Sequence, residues 1–216
     1  MAESDEMPSD LDARLDWVIA TKDPTERSRR YAAWAKLYES DLLDNFGYRA
    51  PARAVSAIKR LVPTEAQIFD AACGTGIVGQ FLHDDGYRDI AGGDFSVEML
   101  EIAERKSTYR QLLEIDLSAR LPLDSASFDA VALVGVPDVV PGSCLKELVR
   151  ILRPGGFVFY CSGRERFSGC GYDAVVEELA GERKLEVFGT EERFHPYPRH
   201  EAKDAFSLRI FRVPEA

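Results

Sequence analysis

The stretch DAACGTGIVGQFL, Asp70 to Leu82, constrains this chain more than any other. A short apolar run, Gln67–Asp70, leads into it, and an apolar helical pattern continues through Phe81 and Leu82. Strand, glycine turn and helix in that order open a parallel α/β sheet. In such a sheet a ligand sits beyond the carboxyl ends of the strands, where strand order reverses. Glycine at that turn lets the backbone come close to a ligand, because no Cβ stands in the way.

The rest of the chain repeats the theme. Ile90–Asp94 reads as a strand, followed by the helix FSVEMLEIAERK with Ser96 as N-cap. Leu112–Ile115 is a third strand, and Ser127-Phe128-Asp129 leads into the apolar strand AVALVGV. Leu145–Leu152 is a short helix, broken by Pro154-Gly155-Gly156, which starts the strand FVFYCS. A helix near Asp173–Ala180 follows, then strands Lys184–Phe188 and Phe206–Val213 with no helix between them. Alternating strand and helix predicts a parallel sheet covered on both faces. The last two strands predict an antiparallel hairpin at one edge. Ahead of the sheet, residues 1–9 read as a disordered tail. Residues 10–62 read as three helices: one on Leu11, Leu15, Val18 and Ile19, one capped by Asp23-Pro24, and one opened by Pro51. On the second, Tyr31, Trp34 and Tyr38 share a face. Residues 63–216 form the α/β core, and the whole is one domain.

Bulk properties narrow the partners. With a net charge of -10 over 216 residues, no nucleic acid is expected as a partner. The acidic start MAESDEMPSD has no apolar run behind it, and no segment approaches the roughly 20 apolar residues of a membrane span. Cys73, Cys144, Cys161 and Cys170 have neither CxxC spacing nor clustered histidines, so they read as free thiols in a cytoplasmic protein without a metal.

Within the opening stretch, GTGIVG matches the dinucleotide-binding fingerprint, and the acid Asp94 follows about 20 residues after Gly74, as that fingerprint asks. Three features decide against a nicotinamide cofactor. Asp70 ends the strand before the glycines, where its carboxylate would repel a pyrophosphate but help an amino-acid ammonium, directly or through water. Acids also end the next two strands: Asp94 can take both hydroxyls of a ribose, and Asp116 can accept from an adenine amino group. FDAV and an RPGG turn lie further along.

DAACGTG, GGDFSVEML, EIDLSARLPLDSASFDAV and LVRILRPGGFVFY, in that order, resemble the class I S-adenosylmethionine-dependent methyltransferases of the methyltransferase type 11 kind. The resemblance runs from about Tyr31 to the C-terminus. It is closest to the methyltransferase-like proteins of the Williams–Beuren chromosomal region and their bacterial relatives, whose N-terminal pattern is similar to YAAWAKLY and Tyr48-Arg49-Ala50-Pro51 here. It implies a seven-stranded Rossmann-like sheet of order 3-2-1-4-5-7-6 with the last strand antiparallel, an N-terminal helical lid, and S-adenosylmethionine as cofactor, released as S-adenosylhomocysteine. Ala72 stands where the family's glycine run usually begins.

The resemblance places Ala72, Cys73, Gly74, Thr75 and Gly76 along the homocysteine moiety. Asp94 falls on the ribose, Phe95 on the adenine, and Asp116 and Leu117 at its edge. Met99 packs on the adenine or in the core, and Gly79 reads as close packing of helix on strand. Gly135 and Val136 end the fourth strand, where the transferable methyl normally points. Tyr38 is expected beside the sulfonium. Tyr31, Trp34, Tyr48, Arg164, Phe194 and Tyr197 are expected to read a small-molecule acceptor, although an aromatic stripe at helical spacing also suits a core. Base candidates are His195, His200 and Asp138, needed only if the acceptor loses a proton early. The chain is expected to be a monomer or homodimer. The rival readings are a non-catalytic fold member serving as regulator or partner subunit, and an NAD(P) oxidoreductase.

Overall fold

The computed structural model describes residues 6–21, 23–136, 140–200 and 205–215, with the side chains of 24 and 164–166 left aside. Helices α1 (Leu11–Ala20), α2 (Pro24–Glu39) and α3 (Ala50–Leu61) precede the sheet, and a π-helical turn, Ser40–Asn45, continues α2. The core then runs β1 (Ile68–Ala71), α4 (Ile77–Asp84), β2 (Ile90–Asp94), α5 (Val97–Arg105), β3 (Gln111–Glu114), β4 (Phe128–Val134) and α6 (Cys144–Ile151). It closes with β5 (Leu152–Gly163), α7 (Arg164–Gly169), α8 (Tyr172–Gly181), β6 (Glu186–Thr190) and β7 (Phe206–Arg212).

The seven strands lie in the order β3-β2-β1-β4-β5-β7-β6, as expected. Strands β1 to β5 pair in parallel, and β7 slots antiparallel between β5 and β6. The period of two along a strand splits the core between the two faces. Ile68, Ala130, Ala132 and Phe159 pack towards α1–α4, whereas Phe69, Val131, Leu133, Val158 and Tyr160 pack towards α6–α8.

Three local expectations need correction. β5 begins before the Pro154-Gly155-Gly156 turn, not after it. Leu152 already pairs with Phe128, the turn bulges out with Gly155 at φ +81°, and pairing resumes at Phe157 with Ala130. Of the expected tail of residues 1–9, the described part is held in place. Met7 packs on the core, and the carbonyls of Pro8 and Ser9 accept from the Arg14 guanidinium at 3.1 and 2.9 Å. α7 and the π-helical turn were both unforeseen. The turn is closed by Phe46 N–H donating to the Asp41 carbonyl, and it carries the chain round to Tyr48, whose N–H donates to Leu42.

Candidate active site

A cavity of about 490 Å³ opens at the carboxyl ends of β1 to β4. Its floor is the loop after β1, where Ala72, Gly74 and Gly76 all take left-handed backbone, at φ +55°, +54° and +84°. The two glycines are there for different reasons. A Cβ on Gly74 would meet nothing within 4 Å, because that side of the loop faces the cavity, which it lines. A Cβ on Gly76 would come within 2.9 Å of the Tyr109 ring. Ala72 has the left-handed geometry with a side chain, a conformation that costs an L-residue roughly 1–2 kcal/mol. Glycine there relieves that strain but adds freedom to the unfolded chain. Ala72→Gly is therefore expected to shift the melting temperature by no more than a few degrees and to leave ligand affinity within about twofold. Calorimetry on the variant checks both.

Tyr109 organises what lies behind the loop. Its hydroxyl donates to Asp70 Oδ2 at 2.6 Å and accepts from the Gly79 N–H at 3.1 Å. Its ring fills the space that a Cβ on Gly79 or Gly92 would need. Gly79 is thus glycine because a tyrosine from the β3 side lies over it, which corrects the simple helix-on-strand reading. Asp70 is corrected as well. It is 1% exposed, tied to Tyr109, and not among the residues lining the cavity. Burial raises its carboxyl to a pKa of about 7, helped by Asp94 and opposed by the Tyr109 hydrogen bond.

Asp94, at the end of β2, joins two loops. Its Oδ2 accepts from Gly74 N–H at 2.8 Å and its Oδ1 from Ser96 N–H at 3.0 Å. Burial raises its pKa, and the N–H groups of Ser96, Gly74 and Phe95 act against that rise. An ionised carboxylate has about four lone-pair sites, so accepting capacity remains for a ligand. Ser96 caps α5 by accepting from Met99 N–H, as expected. Met99 is 2% exposed and lines the cavity. Asp116 also lines it, with its carboxylate turned onto the N–H and hydroxyl of Ser118 at 2.8 and 2.7 Å.

The roof comes from α2. Tyr31 and Tyr38 line the cavity together with Ser28 and Thr25, which stand about one and two turns before Tyr31 on the same face. Trp34 does not: it is 1% exposed, and its indole N–H donates to Asp41 Oδ2 at 2.7 Å. Three residues of helical advance turn it off the Tyr31–Tyr38 line into the core, where it backs Tyr38 at 4.9 Å between ring centres. Asp41 is held in turn by Arg14, at 3.2 and 2.9 Å to its two oxygens. An ion pair between Glu39 and Lys106 fastens the end of α2 across the cleft to the end of α5.

A family model described as a methyltransferase domain matches residues 69–160. The chain is 33% identical over 171 residues to methyltransferase-like protein 27 of Homo sapiens, covering 76% of this chain and 69% of that protein. It is 37% identical over 112 residues to a demethylmenaquinone methyltransferase of Clavibacter sepedonicus, covering 50% of this chain and 45% of the other. A TehB-like S-adenosylmethionine-dependent methyltransferase from Corynebacterium glutamicum superposes with a TM-score of 0.61 over 88% of this chain and all of that one, at 24% identity. The chain belongs to the S-adenosylmethionine-dependent methyltransferases.

The residues present fit that cofactor. The cradle at Gly74 is open, Asp94 keeps accepting capacity, and Thr75 Oγ1 is buried at the cavity wall without a hydrogen-bond partner among the described residues. An amino-acid moiety would supply the missing partner. Ala72, Cys73, Phe95, Leu117 and Gly135 also line the methyltransferase's cavity, and Val136 does not. Val136 is 2% exposed in the α6–α8 face of the core. Val134 takes its place at the wall.

The expected acceptor residues divide. Tyr48 lines the cavity, and its ring stacks on Tyr197 at 5.0 Å and 23°. Tyr197 supports it from outside the lining. Phe194 is turned inward against Phe206, with the Arg53 guanidinium over its ring at 4.7 Å. Neither histidine lines the cavity. His195 is exposed, and His200 packs on Phe46 at 4.5 Å with Nε2 3.7 Å from Asp12. Asp138 lies outside the described residues, and Arg164 opens α7 with its side chain left aside. Among the described residues, no helix is long and apolar enough to cross a membrane.

Proposed function

We propose that this methyltransferase passes the methyl group to a small-molecule acceptor held between the end of β4 and the N-terminal helices. The observation that carries the reading is the roof. The chain's own α2, with Tyr31 and Tyr38, and Tyr48 after it, close over the cavity, leaving a space of small-molecule size. Bound S-adenosylmethionine supplies a methyl carbon already activated by a cationic sulfur, which leaves as a neutral thioether.

The protein's work is then alignment and exclusion of water. Gly74 and Asp94 hold one end of the cofactor, and the tyrosine faces suit its positive charge. Such an attraction is worth roughly 0.5–2 kcal/mol. Replacing Tyr38 by leucine is expected to weaken S-adenosylmethionine binding by about 2- to 30-fold more than it weakens S-adenosylhomocysteine binding, because only the former is cationic at sulfur. Titration of both into wild type and variant checks this.

The acceptor class is tested with methyl-labelled S-adenosylmethionine and a cell extract separated into small-molecule, protein and nucleic-acid fractions. Label should enter the small-molecule fraction. Label found only in a macromolecular fraction would overturn the reading.

A further inference from the structure

The loop of residues 72–76, which the family resemblance sets along the amino-acid end of the cofactor, is held at both ends by one side chain that does not itself line the cavity. At the entry, the Tyr109 hydroxyl donates to Asp70 Oδ2 at 2.6 Å, on the strand that feeds the loop. At the exit, the Tyr109 ring lies against Gly76, so close that a Cβ there would come within 2.9 Å of it. Gly76 is the left-handed N-cap of α4. The Gly79 N–H, in the first turn of α4, donates to the same hydroxyl at 3.1 Å. Between these points Ala72, Cys73, Gly74 and Thr75 line the cavity. Asp94 therefore ties the middle of the loop, through Gly74 N–H, and Tyr109 ties its two ends.

Packing alone asks only for an aromatic ring at this place. The ring fills the space over Gly79 and, together with Leu112, that over Gly92. Phenylalanine would fill most of it. The hydroxyl adds two directed bonds. First-turn N–H groups of a helix have no partner within it, and the N-cap Gly76 has no side chain to offer one. Tyr109 supplies that cap from the β3 side and links it to β1 through Asp70. A tyrosine hydroxyl can donate and accept at once, so a single oxygen serves both bonds. The chain beside it is fixed in turn, with Arg110 N–H donating to the Ile90 carbonyl at 2.8 Å. Left-handed backbone at Ala72 persists only where its surroundings over-determine it. A loop set in shape beforehand binds its ligand without the cost of ordering.

We propose that Tyr109 is a positioning residue of the cofactor site: through Asp70 and Gly79 it fixes the loop in the shape that receives the amino-acid end of S-adenosylmethionine. This rests on the placing of residues 72–76 along that moiety and holds for any acceptor.

Wild type and variants are titrated with S-adenosylhomocysteine and with methylthioadenosine, which lacks the amino-acid moiety, well below each protein's melting temperature. Tyr109→Phe keeps the ring and should weaken S-adenosylhomocysteine by about three- to thirtyfold, the effect of one or two neutral hydrogen bonds, with methylthioadenosine within about twofold. A tyrosine that serves stability alone lowers the melting temperature and leaves both affinities of the folded protein unchanged. Asp70→Ala removes the hydroxyl's acceptor from the other side and should reproduce the split. Asp70→Asn keeps an acceptor oxygen and should hold S-adenosylhomocysteine within about threefold of wild type. The double variant Tyr109→Phe/Asp70→Ala should bind no more weakly than Tyr109→Phe, because partners in one bond are not additive. Unchanged S-adenosylhomocysteine affinity in Tyr109→Phe, or equal weakening of both ligands, overturns the positioning role. Additive losses, or Asp70→Asn binding as weakly as Asp70→Ala, overturn the route through Asp70. Should Tyr109→Phe melt too low to titrate, the comparison of Asp70→Ala with Asp70→Asn decides alone. Failure of wild type to bind S-adenosylhomocysteine overturns the cofactor site and the role of Tyr109 with it.

Discussion

Replacing Asp94 by alanine is expected to lower S-adenosylhomocysteine affinity by about a hundredfold or more. Hydrogen bonds to a charged group contribute roughly 1.5–3 kcal/mol each, and a ribose offers this carboxylate two hydroxyls. The side chain has a second task, since it accepts from the N–H groups of Gly74 and Ser96 at 2.8 and 3.0 Å. Alanine leaves both donors without that partner, so the melting temperature should fall as well. Asp94→Asn keeps one acceptor oxygen and is expected to lie between the two. The rival view makes Asp94 only a tie between two loops. It predicts the same loss of thermal stability with unchanged calorimetric affinity in the folded variant, and that outcome would exclude a role at the ribose.

The features legible in the sequence are those with a local cause. Asp23 and Ser96 cap helices because each sits just before an apolar helical run, and the structure has both accepting from the expected N–H groups. Gly74 and Asp94 were legible as candidates because a glycine turn after one strand and an acid ending the next form a local pattern. The succession of strands, helices and a closing hairpin made a parallel sheet with an antiparallel edge legible, and the strand order came with the family resemblance. What was hidden depends on distant packing. Tyr109 stands alone in KSTYRQ with no pattern to mark it, yet it accounts for glycine at 79, shares the space over Gly92 with Leu112 and covers Asp70. A π-helical turn carries no composition of its own, so the route from Tyr38 to Tyr48 could not be drawn. Trp34 was read with its helical neighbours, whereas buried Asp41 claims its indole N–H. Thr25 and Ser28 were within reach, because counting back by threes from Tyr31 meets both on the face that lines the cavity. A histidine's chemistry says nothing of its place, and tertiary packing puts His195 on the surface and His200 against Phe46.

Asp70→Asn is expected to flatten much of the pH dependence of stability between about pH 4 and 7. The native carboxyl, 1% exposed, is raised by burial from an ordinary 3.8 to about 7. In the unfolded chain it regains the ordinary value. Below about pH 4 both states hold the proton and the group costs nothing. As pH rises, the unfolded state loses its proton first, so the folded state is progressively disfavoured until it too ionises near pH 7. Each unit of raised pKa corresponds to about 1.4 kcal/mol, which sets an upper bound of roughly 4 kcal/mol on the loss. Asparagine keeps an oxygen to accept from the Tyr109 hydroxyl and has no charge to bury. Asp94 has a raised pKa too, and because it is present in both proteins only its coupling to Asp70 enters their difference. Thermal melts of wild type and variant at half-unit steps from pH 4.5 to 8.5, without ligand, isolate the contribution. The variant should draw level or fall slightly behind at the acid end and melt several degrees higher above pH 7. Parallel curves across the whole range would mean that Asp70 ionises in the folded protein as it does in water, and that the cover provided by Tyr109 does not exclude solvent from it.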